Sequence, residues 1–233
     1  MMVFKVLQLL VLCLVSAVSS TNRTTFVDFV STCLNGRYQK IKPGPEADLF
    51  NQCKPWKDRS CCTQETSEGL HTSEPWLNFN WNHCQQLSPE CSKHFIQDLC
   101  FYECSPNVGP WLVPVNMKIR NEKFMHVPLC ESECTNWWNA CKYDFTCLPN
   151  WGGGKGFNWT TGQNTCPSWS TCKKFSEIYT SSSNFCETVW NYSWKVVPET
   201  EPCMHIWFDG STGNPNDKIA LEKAKEVANS LIG

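Results

Sequence analysis

Cysteine is the residue type that most constrains how this chain can fold. The 233 residues include 17 cysteines, and one of them, Cys13, lies in an apolar leader-like segment. Cleavage near Ser20 would leave sixteen cysteines, an even number, in a chain that enters an oxidising compartment. We therefore expect eight disulfides. Sixteen cysteines can pair in roughly two million ways, so their spacing leaves the connectivity open.

Residues 1–20 have the features of a secretory signal peptide. Lys5 precedes a short apolar run, and the small residues Ala17, Ser19 and Ser20 end the segment. The run is too short to span a membrane. We predict that the mature protein is secreted and extracellular, and the sequons at Asn22, Asn158 and Asn191 predict that it is a glycoprotein.

The rest of the chain has no Pro/Gly/Ser linker or charge run that would divide it. We therefore predict one cysteine-rich domain over residues 21–216 and an amphipathic, Lys/Glu-rich helix over 217–233. No apolar tail of the kind found in a GPI signal follows that helix, so we expect no membrane anchor. We also expect a monomeric protein.

Charge and cysteine usage argue against several classes of function. The net charge of −2 provides no electrostatic basis for binding nucleic acid. Two C-x3-C pairs, Cys100/Cys104 and Cys130/Cys134, have a spacing that also suits zinc, but even parity in a secreted chain favours disulfides, and we expect no metal. The five histidines have no companion nucleophile in a recognisable motif, so we expect a non-catalytic protein without a cofactor.

Three helices can be placed from capping signals. Ser88 as the cap, followed by Pro89 and Glu90, predicts a helix that runs to about Cys104, where Ser105-Pro106 ends it. A second helix is predicted over residues 131–145. A third is predicted over residues 184–195, with Ser183 as its cap.

Asp98 is the candidate functional residue of the first predicted helix. At 100° per residue, Cys91 and Asp98 lie about 20° apart, while Cys100 lies on the opposite side. A helix held by cysteines on both faces is expected to be central, so Asp98 needs a partner to remain charged. One interpretation is an internal ion pair or a carboxylate bonded to backbone N–H groups. The other is an anchor for a ligand that presents two parallel N–H groups.

Tryptophan is the second unusual feature of the composition. The chain has 12 tryptophans. On the third predicted helix, Trp190, Ser193 and Trp194 have i, i+3, i+4 spacing and would share one face. Such stripes are usually core, yet aromatic slots with a few polar atoms also bind flat aromatic ligands.

Several motifs together resemble the folate receptor family: KPGPE (42–46), FNWNHC (79–84), HFIQD (94–98), YECSPN-x-GPW (102–111), VPLC (127–130) and WF…GNPN (207–216). The resemblance extends over essentially the whole chain after Asn22. It implies an α+β, mainly helical, disulfide-rich single domain. It also implies the pairing Cys33–Cys61, Cys53–Cys100, Cys62–Cys104, Cys84–Cys172, Cys91–Cys141, Cys130–Cys203, Cys134–Cys186 and Cys147–Cys166.

The resemblance further implies a vitamin ligand, folate, bound with its pterin head inward on Asp98. The other implied folate-binding residues are Phe79, Tyr102, Arg120, Trp151, Lys155, Trp159, Trp190 and Ser193. Lys123 and Trp194 stand where the family has an arginine and a tyrosine, and we include both. Leu77 and Ile119 replace two aromatic residues of the family's pocket, and the 151–159 loop is about two residues longer. Each lost ring contributes about 0.5–1.5 kcal/mol, so we expect weaker folate binding than in the tight members.

Two alternatives remain open at the level of sequence. One is a protein-recognition module, as in a family member that has lost the pterin aspartate, and Asp98 argues against it. The other is a riboflavin-binding relative, against which the FNWNHC and GNPN motifs argue. If Asp98 is the anchor, its protonation should weaken binding in acidic compartments.

Overall fold

The structure, a computed structural model, describes residues 23, 25–72, 75–153 and 156–232. The predicted signal peptide (1–20), the sequon at Asn22 and the predicted ligand residue Lys155 lie outside these residues. No helix among the described residues is long and apolar enough to cross a membrane.

Helices form most of the regular structure. The α-helices are α1 (Phe26–Phe29), α2 (Gln64–Gly69), α3 (Pro89–Cys104), α4 (Glu131–Cys141), α5 (Phe175–Ile178), α6 (Ser182–Val189) and α7 (Asn216–Ile232). Short 3-10 helices occupy Asn51–Trp56, Trp76–Asn78, Gly109–Trp111 and Gly210–Thr212. The strands are β1 (Leu112–Met117), β2 (Arg120–Phe124), β3 (Val127–Cys130), β4 (Phe145–Thr146), β5 (Lys173–Lys174) and β6 (Trp194–Val197).

The strands form three small two-stranded sheets. β1 and β2 make an antiparallel hairpin, with Leu112 opposite Phe124. β3 and β6 are parallel, with Val127 opposite Trp194. β4 and β5 are antiparallel. Small sheets beside longer helices confirm the predicted α+β, mainly helical fold class.

The predicted helix α3 is confirmed, including both of its ends. The Ser88 side chain accepts a hydrogen bond from the Cys91 N–H, and Pro89 occupies the first turn. The helix ends at Cys104, with Ser105 as its extended C-cap. Since most of its side chains from Phe95 onward are buried, α3 is the central element of the core.

The other two predicted helices are shorter than expected. α4 ends at Cys141 rather than at residue 145, because the chain turns there and Phe145 pairs with Lys174 in the β4–β5 sheet. α6 is capped by Ser181, not by Ser183, and it ends at Val189.

The end of α6 overturns one prediction about the candidate site. Asn191 and Tyr192 have left-handed backbone conformations, with φ of 52° and 60°, which stop the helix. Trp194 then begins β6 beside β3. The prediction that Trp190, Ser193 and Trp194 share a helical face was therefore wrong.

Eight disulfides fasten these elements together. Three of them hold α3: Cys91 to Cys141 on α4, Cys100 to Cys53, and Cys104 to Cys62. The other five are Cys33–Cys61, Cys84–Cys172, Cys130–Cys203, Cys134–Cys186 and Cys147–Cys166. These are the eight pairs that the resemblance implies.

Candidate ligand-binding site

A cavity of about 160 Å³ opens beside α3, where the 76–81 segment, the β1–β2 hairpin, residues 151, 152 and 159, and the 190–193 turn meet. A dry cavity of about this size holds a single benzene ring, so this space is enough for part of a flat ligand. Its lining residues are Trp76, Leu77, Phe79, Trp81, Asp98, Leu99, Tyr102, Met117, Ile119, Arg120, Phe124, Trp151, Gly152, Trp159, Trp190 and Ser193.

The cavity has a buried end and an open end. Asp98, Phe124 and Ser193 are buried and define the buried end. Leu77 and Ile119 are half-buried, and Trp159 is 38% exposed; these three define the open end. A ligand would therefore meet a carboxylate inside and mainly apolar side chains near the entrance.

Asp98 is the acceptor at the buried end. The carboxylate is 3% exposed, and its Oδ1 accepts a hydrogen bond of 2.8 Å from the Trp194 indole N–H. Burial raises the pKa of Asp98 to about 7, against the opposing effect of the Trp194 and Trp190 indoles. Its Oδ2 accepts no hydrogen bond of normal geometry from the described residues, although the Trp190 indole lies near enough to the carboxylate to lower its pKa. Oδ2 is thus available to a ligand N–H, and Oδ1 keeps a second lone pair for another.

The structure fits neither form of the internal-partner interpretation of Asp98. Within the described ranges, no Lys, Arg or His lies at ion-pair distance from this carboxylate. The described backbone N–H groups do not donate to it either. Its partner is the neutral indole of Trp194. A neutral donor orients the acid and leaves its negative charge uncompensated, which is the state that an N–H-bearing ligand would stabilise.

Two buried N–H donors in the same cavity, Trp190 Nε1 and Arg120 Nε, make no hydrogen bond of normal geometry with the described residues. Of the two, the Trp190 indole lies near the Asp98 carboxylate and lowers its pKa. A buried donor without a partner costs about 1–3 kcal/mol, so a ligand that carries an acceptor would recover that free energy. Ser193 Oγ donates to the Trp190 carbonyl at 2.8 Å and keeps its lone pairs for a further donor.

Arg120 and Tyr102 form a paired unit on the hairpin side of the cavity. Arg120 Nη1 donates to Tyr102 Oη at 3.0 Å, and the guanidinium lies 5.5 Å from the centre of the tyrosine ring. Burial raises the pKa of Tyr102 to about 12, so the phenol stays protonated. The guanidinium is therefore held by a neutral oxygen and by a ring face, and its charge acts on the buried Glu103 carboxylate as well as on the cavity.

The aromatic wall is built on Trp151. Its ring stacks on Phe95 at 4.9 Å and meets Trp190 edge to face at 5.8 Å. Its indole N–H donates to Thr146 Oγ1 and to the Leu148 carbonyl, each at 3.0 Å. These contacts fix the ring with its polar edge pointing into the protein.

Gly152 allows the two loops of this wall to approach each other. A Cβ atom at this position would lie 2.7 Å from the Trp190 carbonyl carbon. Only glycine permits such a close backbone approach, so Gly152 sets the distance between Trp151 and Trp190.

Most of the predicted folate-binding residues lie around this cavity. The structure brings together Phe79, Asp98, Tyr102, Arg120, Trp151, Trp159, Trp190 and Ser193.

Lys123 and Trp194 do not line the cavity. Lys123 lies three residues beyond Arg120 in β2, and side chains at an odd separation in a strand leave opposite faces. Its Nζ donates to the Asn191 carbonyl at 3.1 Å. Trp194 is fully buried against Phe101 and Phe124, and it supports the site through its bond to Asp98 and its packing on Phe124.

Sequence reasoning did not include six of the lining residues: Trp76, Trp81, Leu99, Met117, Phe124 and Gly152. Trp81 belongs to the FNWNHC motif and Gly152 directly follows a predicted residue, so both had a signal in the sequence. Met117 precedes the hairpin turn and had none. Leu77 and Ile119, where the family has aromatic residues, do face the cavity.

The two described sequons lie next to cavity residues. Asn158 precedes Trp159, and its Oδ1 accepts from the Thr160 N–H at 3.0 Å. Asn191 follows Trp190, and its Oδ1 accepts from Asn150 Nδ2 at 2.9 Å. Glycosylation at these two positions stays a prediction.

Four groups of cysteine, histidine or aspartate side chains lie close enough together to suggest a metal site: His83/Cys84/Cys147, Cys84/Cys166/Cys172, Cys130/Cys203/His205 and Cys91/Cys141/Asp144. Every cysteine in them belongs to a disulfide. A metal ligand must be a thiolate, so these clusters follow from the disulfide framework and carry no metal chemistry.

Fold and site together define a disulfide-rich α+β binding protein with an acid at the buried end of an aromatic cavity. Residues 32–205 match the Folate receptor family. The chain belongs to this family.

Individual relatives agree with that assignment. The chain is 42% identical to folate receptor gamma of Homo sapiens over 226 residues, 94% of this chain and 91% of that protein. It is 41% identical to folate receptor alpha of Homo sapiens over 197 residues, 83% of this chain and 76% of that protein. It is 32% identical to the riboflavin-binding protein of Gallus gallus over 196 residues, 82% of this chain and 74% of that protein.

Proposed function

We propose that this chain is a secreted, non-catalytic vitamin-binding protein whose ligand is folate or a reduced folate. The observation that carries the proposal is that one aromatic cavity contains both a buried carboxylate with a free acceptor oxygen, Asp98 Oδ2, and two buried N–H groups that make no hydrogen bond of normal geometry. A pterin edge presents N–H donors beside a ring nitrogen and a carbonyl oxygen. Asp98 would accept from the donors, and Arg120 and Trp190 would supply N–H groups to the acceptors.

The family assignment supports the same class of ligand. Relatives at 41% and 42% identity are named folate receptors, and one at 32% identity is named a riboflavin-binding protein. Both names refer to a flat, nitrogen-rich vitamin. The higher identity to the folate receptors makes folate our first choice and riboflavin the second.

A titration of the purified, oxidised protein with folic acid tests the proposal. Tryptophan emission is the readout, because five tryptophans line the cavity. We expect saturable quenching in the wild type. In Asp98→Ala we expect binding about 100-fold weaker, since the variant loses two charge-assisted hydrogen bonds at about 1.5 kcal/mol each.

Glu133→Ala is the matched control for this titration. Glu133 is also a buried acid, 6% exposed, but it lies on α4 and bonds to His205, away from the cavity. Its replacement should leave the folic acid affinity unchanged. Saturable quenching by riboflavin alone would transfer the proposal to that vitamin. Absence of quenching by both would contradict vitamin binding and favour a protein-recognition role.

A further inference from the structure

We propose that Trp76 supplies an aromatic face at the open end of the cavity, and that the buried carboxylate of Glu103 is the positioning residue that holds it there. This inference rests on the proposed function and adds a specificity-determining pair to it. In the resemblance, Leu77 stands for a lost aromatic residue. In the structure, the neighbouring Trp76 lines the same cavity as Asp98.

The backbone of the 76–79 segment explains how position 76 reaches the cavity. Leu77 and Asn78 both have left-handed conformations, with φ of 56° and 61°. Asparagine tolerates this conformation, but for Leu77 it is strained and persists only where the surroundings enforce it. The tight turn they make allows Trp76, Leu77 and Phe79 all to contact the cavity.

Glu103 is the group that fixes the Trp76 ring. Glu103 lies near the end of α3, is 1% exposed and is not among the cavity-lining residues. Its Oε1 accepts a hydrogen bond of 2.9 Å from the Trp76 indole N–H, and its Oε2 accepts one from Gln39 Nε2. Burial raises the pKa of Glu103 to about 7, opposed by the Trp76 bond and by the charge of Arg120. A buried acid is costly unless its oxygens are hydrogen-bonded, and both oxygens of Glu103 are used in this way, one of them to hold the Trp76 indole.

Packing on the far side of the ring completes the support. The Tyr38 and Trp76 rings lie 4.4 Å apart. A Cβ added to Gly69 would lie 2.7 Å from Trp76 Cζ3, so the indole rests on the glycine. The ring is thus held at its N–H edge by Glu103 and across its surface by Tyr38 and Gly69. Because the side chain is already fixed, binding a ligand against it would cost little additional conformational entropy.

The test is a double-mutant cycle with folic acid as the probe. We expect Trp76→Leu and Glu103→Leu each to weaken binding about tenfold, because each removes or releases the same aromatic face. The double variant should bind no more weakly than Trp76→Leu alone, within about twofold. In the Glu103→Leu/Trp81→Leu variant the two fold losses of affinity should instead multiply, since Trp81 packs on Phe95 and has no bond to Glu103.

Two conservative variants separate positioning from a general structural role. Glu103→Gln keeps an acceptor for the Trp76 N–H, and a flip of the Gln39 amide can present Oε1, which now has no partner. We expect Glu103→Gln to bind within about twofold of wild type. Trp76→Phe keeps a ring but removes the N–H, and we expect it to bind at least about threefold more weakly. Glu133→Leu, at the buried acid away from the cavity, should leave the affinity unchanged.

The outcomes distinguish this inference from the proposed function. A wild type that shows no saturable folic acid binding overturns both. A wild type that binds, with unchanged affinity in Glu103→Leu or with multiplicative losses in Glu103→Leu/Trp76→Leu, overturns only this inference. If Glu103→Leu is not secreted, Trp76→Phe decides the matter, because an unchanged affinity in that variant contradicts the role of the hydrogen bond.

Discussion

The buried and open ends of the cavity are held in place by different means. At the buried end, Asp98 lies on α3, a helix fastened by three disulfides, and the Trp194 indole orients its carboxylate. At the open end, Leu77 lies in a left-handed turn and Trp159 in a loop closed by a single disulfide, Cys147–Cys166. The proposed anchor therefore lies on a cross-linked helix, whereas the residues at the entrance lie in loops and turns.

The largest expected effect comes from removing one disulfide at each end. The Cys53→Ala/Cys100→Ala variant removes a cross-link between cysteines 47 residues apart in the sequence. It should lower the free energy of unfolding by about 4 kcal/mol. Removing Cys147–Cys166, with a separation of 19, should lower it by about 3 kcal/mol. Denaturant unfolding measures both.

Ligand titration of the same two variants sharpens the comparison. The 147–166 segment contains Trp151 and Trp159, so its variant should lose more folic acid affinity than the less stable Cys53→Ala/Cys100→Ala variant. Equal losses of affinity would contradict the separation between a scaffolded end and a loop-built end.

Acidification should act on the buried end. If only the ionised form of Asp98 binds, a pKa of about 7 makes folic acid binding roughly 70-fold weaker at pH 5 than at pH 7.4. Titrations at both pH values measure this ratio. Asp98→Ala is the control, and its affinity should depend much less on pH. Equal affinity at the two pH values would remove Asp98 as the anchor.

The stability of the free protein should respond to pH with the opposite sign. The folded-state pKa values of Asp98 and Glu103, about 7, lie above those of an unfolded chain, so the folded state binds more protons between pH 4 and pH 7. These two groups therefore favour folding at acidic pH and lose that contribution as pH rises through 7. The melting temperatures of wild type and Asp98→Asn/Glu103→Gln, compared from pH 5 to pH 8, measure it. The opposite slope would be inconsistent with buried acids of raised pKa.

A methyl group at Gly152 should disturb the contact between the two loops. Gly152→Ala places its Cβ against the Trp190 backbone and should cost about 1–3 kcal/mol of stability. Gly44→Ala is the matched control, because a Cβ at Gly44 meets no atom within 4 Å. Thermal unfolding of both variants checks this, and equal melting temperatures would show that the 151–152 backbone adjusts freely.

The smallest expected effect is at the open end. Trp159→Leu removes a partly exposed ring that lies 6.2 Å from Phe79. We expect folic acid affinity to fall by about threefold, since an aromatic pair contributes about 0.5–1.5 kcal/mol and this ring is only partly desolvated. A loss as large as that of Asp98→Ala would reverse the ranking of the two ends.

The sequence predicted the parts of the fold that local chemistry determines. Ser88, Pro89 and the Ser105-Pro106 pair mark both ends of α3, and cysteines on two helix faces predicted that Asp98 is buried. Both features follow from neighbouring residues, and the structure has them.

Other features depend on contacts between distant segments, which a sequence pattern does not reveal. Tyr192 strongly disfavours a left-handed conformation, yet it adopts one because β6 must pair with β3 directly afterwards. Trp76 has no helical or strand periodicity, and its partner Glu103 lies 27 residues away. Lys123 could be assigned to the cavity only by its resemblance to an arginine, because the face it occupies depends on the register of the hairpin.

One oxygen atom, Ser193 Oγ, meets two separate requirements. In the sequence it completes the predicted acceptor triplet Asn191–Tyr192–Ser193, and in the folded protein Ser193 lines the cavity. Threonine would keep both the sequon and a hydroxyl at the cavity, whereas alanine would remove the predicted glycan acceptor and the proposed ligand contact in a single step. Selection on either property therefore constrains the other. The effect of Ser193→Ala can be interpreted only by comparison with a variant that changes Asn191 alone.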